Sequence, residues 1–98
     1  MISSEAGSMT DNTIGRIHAY RASKTALNSF MKTLAIELKR SGVLVMSMHP
    51  GWIQTDMGGS RAPLTVDQAI PSLVKTVNGL TEADQGIFKT YENKVYPW

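Results

Sequence analysis

Tyr20 and Lys24 stand four residues apart, with Arg21, Ala22 and Ser23 between them. On a helix this spacing sends both side chains out of one face, about one turn apart. A free phenol ionises near pH ~10 and exchanges protons poorly at neutral pH. An ammonium group within a few ångströms favours the phenolate, so such a pair can act as a general acid and base between a carbonyl and an alcohol. Taken alone, the spacing also describes a surface pair packing its aliphatic parts, the commoner case for so short a motif. His18 and His49 are isolated from each other and cysteine is absent. No disulfide or thiolate metal site is therefore expected, and a zinc site has no support.

The elements around the pair carry a helical and then a strand signal. Leu27, Phe30, Met31, Leu34 and Leu38 recur at three- and four-residue steps, which predicts a helix over residues 17–40 with this set on its buried face. Gly42 marks its stop. Residues 43–48 are apolar and β-branched between Gly42 and Pro50, the pattern of a strand buried on both faces. Residues 50–63 hold three glycines and read as an irregular segment at the strand's exit. Thr65 and Gln68 form a capping-box pattern that starts a second helix running to about residue 78. Pro71 inside it predicts a kink or a late restart. Residues 87–91 read as a last strand, Glu92-Asn93 as a turn, and 94–98 as a tail. At the other end, Met1-Ile2-Ser3-Ser4 reads as the end of a buried strand, followed by a loop over residues 7–15. Strand, helix, strand, helix, strand builds a parallel sheet.

Three ordered motifs now stand at defined separations: Ile2-Ser3-Ser4-Glu5-Ala6-Gly7, Tyr20-Arg21-Ala22-Ser23-Lys24, and His49-Pro50-Gly51-Trp52-Ile53-Gln54-Thr55. Together they resemble the short-chain dehydrogenase/reductase family, in particular its branch of C-factor and sniffer-type carbonyl reductases. The resemblance runs from Ile2 to Pro97-Trp98. It implies the carboxyl-terminal part of a Rossmann-type doubly wound sheet, with three strands, one long helix and one shorter helix. It implies an NAD(P)-dependent oxidoreductase that moves hydride between a nicotinamide and a carbonyl or alcohol, with NAD and NADP both open.

By the same resemblance the catalytic residues are Ser4, Tyr20 and Lys24, and Tyr20 and Lys24 also face the cofactor. Pro50, Gly51, Ile53 and Thr55 border the nicotinamide, and residues 57–62 form a mobile cover over the substrate. Ser4 lies sixteen residues before Tyr20, a longer interval than many relatives of that family show, and Ser8 competes for the serine role. The strand end favours Ser4, because rigid elements position side chains better than loops do.

The family's glycine-rich phosphate-binding turn has no counterpart among these residues; Gly58-Gly59 follows the wrong strand. The 98-residue chain is thus expected to be a partial domain without its dinucleotide-binding half, inactive by itself. The competing reading is a non-catalytic remnant or an interaction module. Ten basic residues against eight acidic ones give a net charge of +2, scattered without a basic run, so nucleic acid is not an expected partner. The longest apolar stretch is too short for a membrane span. A small carbonyl or alcohol substrate, self-association through an open sheet edge, and a cytoplasmic location complete the expectations. His49, Met31, Met46, Met48 and Phe30 are expected to be structural, and Arg16, Arg21 and Arg61 solvated.

Overall fold

A computed structural model describes all residues, Met1–Trp98. Helix α1 spans His18–Leu38 and is followed by a 3-10 turn, Lys39–Ser41, that ends on Gly42 in the left-handed conformation (φ 69°). Strand β1 is Ser47–His49, helix α2 Val66–Asn78 and strand β2 Phe88–Thr90. β1 and β2 pair in parallel, with Met48 opposite Lys89. On the other side of β1, Ile2 makes a parallel bridge to Met48. Ser3 N–H donates to Met48 O at 2.7 Å and Met48 N–H to Met1 O at 2.8 Å.

The fold class is the expected α/β arrangement with a parallel sheet, although the first of the three strands is reduced to that single bridge. The second expected strand is also shorter. Val43 and Leu44 are exposed (47% and 42%). Their stretch finds no neighbouring strand: Gln85 takes its backbone groups instead, accepting from Val45 N–H at 2.8 Å and donating to Val43 O at 3.2 Å. A side chain that satisfies these groups removes the need for a ladder.

The core sits where α1 packs on the stretch leading into β1. Met31, Ala35 and Val45 are buried, with Leu34 and Leu38 packed against them. Met46 and Met48 are buried as expected, but Phe30 is 59% exposed. The buried stripe of α1 runs through Asn28, Met31 and Ala35, flanked by the expected Leu34 and Leu38, so the buried face is the expected one except at Phe30. Small Ala35 allows close approach to the sheet, whereas Phe30 lies one residue off that stripe. Thr65 caps α2 with the full reciprocal box to Gln68. Of the kink or late restart expected at Pro71, the restart does not occur: α2 is one continuous helix through it. Its link to the sheet is the Thr76 hydroxyl, which donates to Tyr91 O at 2.8 Å.

Candidate active site

Parallel pairing decides where the site lies. Because Ile2 and β1 run the same way, Ser4 and Pro50 leave adjacent strands at the same, carboxyl-terminal edge of the sheet. In open parallel sheets that edge is where ligands bind.

Ser4 is extended (φ −152°) and caps a 3-10 turn, Glu5–Gly7, its Oγ accepting from Ala6 N–H at 3.1 Å. A hydroxyl has one proton and two lone pairs; the Ser4 proton has no acceptor within the chain and stays available. Ser8 differs. It is 2% exposed and its Oγ accepts from Asp11 N–H at 3.1 Å, which closes the following loop from inside.

The turn is fastened to α1. Thr25 Oγ1 donates to Gly7 O at 3.0 Å and Asn28 Nδ2 to the same oxygen at 3.5 Å. Gly7 has to be glycine here, since a Cβ would meet Asn28 Nδ2 at 2.9 Å and the Lys24 backbone at 3.0 Å. Arg21 was expected to be solvated and is not: its Nε donates to Gly15 O at 2.9 Å and its guanidinium to Ala6 O at 3.4 Å. It thereby joins the serine turn to the helix entry. That entry is strained, with Gly15, Arg16 and Ile17 all at positive φ (72°, 60° and 43°), a conformation that β-branched Ile17 rarely adopts.

Tyr20 lies in the first turn of α1 and is 38% exposed. Lys24 Nζ stands 5.7 Å from the centre of its ring and donates to Ile2 O at 3.3 Å. The expected pair therefore shares one helix face, and Lys24 reaches the strand that ends in Ser4. One of three ammonium protons is used in that bond.

Beyond β1, Gly51 sits at φ 91° against the Leu64 side chain and the Tyr91 ring, leaving no room for a Cβ. Ile53 bridges Leu64 in parallel. Thr55 Oγ1 accepts from Gly58 N–H at 3.1 Å, and Trp52 Nε1 donates to Gly58 O at 2.8 Å. Gln54 holds Ala62 O through Nε2 at 2.9 Å. The stretch expected as a mobile cover is thus braced from within. The link between this side and the serine side is His49, whose Nε2 lies 3.6 Å from Glu5 Oε2. Burial holds the His49 pKa below its ordinary value, opposed by the Glu5 charge.

A family model for short chain dehydrogenases matches residues 1–64. The chain belongs to the short-chain dehydrogenase family. It is 36% identical over 97 residues to C-signal of Myxococcus xanthus, covering 99% of this chain and 58% of that protein. Among solved structures it is similar to the carbonyl reductase Sniffer of D. melanogaster, with a TM-score of 0.96 and 42% identity over 99% of this chain and 39% of the other. The NADPH-bound carbonyl reductase from chicken fatty liver superposes with a TM-score of 0.91 at 37% identity, over 99% of this chain and 41% of that one. The chain therefore spans about two fifths to three fifths of the proteins it matches. No helix is long and apolar enough to cross a membrane, and no group of three or more acidic or histidine side chains could hold a metal ion.

Proposed function

We propose that this short-chain dehydrogenase chain is the proton-transfer part of an NADPH-dependent reductase of small carbonyl compounds. The observation that carries the reading is Lys24, held beside the Tyr20 ring and bonded to Ile2 O at the sheet edge where Ser4 and Pro50 emerge. The likeness to an NADPH-bound carbonyl reductase supports the choice of cofactor.

The residues present fit the nicotinamide end of such a cofactor. Lys24 keeps two ammonium protons for the ribose hydroxyls, and Pro50, Gly51, Ile53 and Thr55 follow the exit of β1 at the same edge of the sheet. A bound NADPH supplies the hydride to the carbonyl carbon. Ser4 donates its free O–H to the carbonyl oxygen and orients the substrate. Tyr20 passes its phenolic proton to that oxygen as the carbon is reduced, which closes the proton balance of the alcohol product. Lys24 Nζ, 5.7 Å from the centre of the Tyr20 ring, sets a positive charge beside the oxygen that gives up the proton.

A second reading, a non-catalytic interaction module, is favoured by an apolar stripe on α2: Val66, Ile70, Val74 and Val77 are each 45–48% exposed. One experiment separates the two. The chain, joined to the dinucleotide-binding half of a related carbonyl reductase, should oxidise NADPH in the presence of a carbonyl substrate. Tyr20→Phe keeps the ring and removes the proton, so it should lower the rate by about 10²–10⁴-fold. A Phe variant as fast as its parent would rule Tyr20 out as the acid.

A further inference from the structure

The closing segment folds back onto the sheet and then reaches the serine loop. Asn93, at φ 65°, turns the chain. Thr90 N–H donates to Lys94 O and Tyr96 N–H to Phe88 O, each at 2.8 Å, and Val95 bridges Lys89 in antiparallel fashion. The Phe88 ring, 1% exposed, is met edge-on by Tyr96 (5.3 Å between centroids) and stacked by Trp98 (5.8 Å). From this anchorage two bonds cross to the loop behind Ser8. Thr10 N–H donates to Trp98 O at 2.8 Å, and the Tyr96 hydroxyl donates to the Asp11 carboxylate.

We infer that Tyr96, acting through Asp11, is a positioning residue for Ser4. The inference rests on the role proposed for Ser4 above. Its path is continuous: Asp11 N–H bonds Ser8 Oγ, Ser8 N–H bonds Glu5 O at 2.9 Å, and Ser4 Oγ caps the same turn at Ala6 N–H. A second contact enters from the other side, since the Tyr96 ring lies 6.2 Å from His49, which faces Glu5. The turn that aims the Ser4 hydroxyl is therefore held by α1 on one flank and by the closing segment on the other. A phenol bonded to a carboxylate makes a charge-assisted bond, stronger than a neutral one. Burial, and then the bond to Asp11, push the Tyr96 pKa up to about 12, so it stays a donor at neutral pH.

Two measurements test this. In the 98-residue chain, Tyr96→Phe keeps the ring packing and removes only the hydroxyl. Amide hydrogen exchange at Asp11 and Ala6 should rise about tenfold, while Ala35 and Met48 stay as protected as before. Asp11→Asn should do the same. Faster exchange confined to Thr10 and Asp11, with Ala6 unchanged, would show that the closing segment only staples its own loop, and would overturn the inference. In the NADPH-competent fusion, Tyr96→Phe should lower kcat about tenfold with the KM for NADPH unchanged. In a Ser4→Ala background it should cost nothing further, because two residues acting as one unit are non-additive. Ser4→Ala that slows the enzyme while Tyr96→Phe does not, or adds independently, sinks the positioning role alone. Ser4→Ala that leaves kcat unchanged removes the serine assignment beneath it.

Discussion

The His49 imidazole lies with Nε2 3.6 Å from Glu5 Oε2, joining the end of β1 to the residue that follows Ser4. Its ring is mostly buried, and burial outweighs the Glu5 charge to hold its pKa below 6.5. The unfolded chain therefore binds a proton that the folded chain resists. The stabilisation is complete above the unfolded value and is lost as pH falls from there through the folded value. Thermal melts between about pH 8 and pH 5 should show Tm falling on the acid side. His49→Gln should flatten that slope, and an unchanged slope in the variant would place its origin elsewhere.

A second, more acidic step is expected from Asp84. Its carboxylate is paired with Lys89, and both side chains are largely buried (13% and 10% exposed). The Lys89 hydrogen bond, with help from Thr81 N–H, holds the Asp84 pKa below 3.8. This contribution is present above the unfolded value and disappears as pH falls through the folded one. Asp84→Asn should remove the step and also lower Tm at neutral pH, because Lys89 would keep a buried charge without its partner.

Gly7→Ala should cost about 1–3 kcal/mol in stability, as overpacking does. The new methyl would stand 2.9 Å from Asn28 Nδ2 and 3.0 Å from the Lys24 backbone, so α1 and the serine turn must separate. Urea titration measures the loss. A variant as stable as the parent would mean that the helix can shift without cost.

Gly58→Ala should act on the segment after β1 rather than on the core. Its methyl would fall 1.9 Å from Ile53 O, so the bonds of Gly58 to Thr55 Oγ1 and Trp52 Nε1 must break. Emission from Trp52 should change while urea unfolding moves less than for Gly7→Ala. Unchanged emission would show that the loop absorbs the methyl intact.

The apolar stripe on α2 (Val66, Ile70, Val74 and Val77) and exposed Phe30 and Ile36 on α1 favour self-association of the chain at micromolar concentration. Sedimentation velocity should show dimers or larger species, reduced by Ile70→Gln with Val74→Gln. A single monomeric boundary for the parent would end this expectation.

The sequence by itself determined the order of elements, the family, and the helix that carries Tyr20 and Lys24, because these rest on local information. Period, capping box and residue spacing are written along a few consecutive residues, as Thr65 with Gln68 and Tyr20 with Lys24 illustrate. The exposure of Phe30 on α1 was not legible. Which of Phe30 and Ala35 faces the sheet depends on how closely two elements approach, and small Ala35 wins although Phe30 is the more apolar surface. Nor could spacing reveal that Gln85 would replace a strand partner for Val43 and Val45. Only the tertiary structure could decide that Arg21 grips the serine turn and that Tyr96 reaches Asp11 across 85 residues of chain. A polar side chain far along the sequence carries no periodic signal of its partner. Its bond exists only once the closing segment has folded back over Phe88 and brought both groups together.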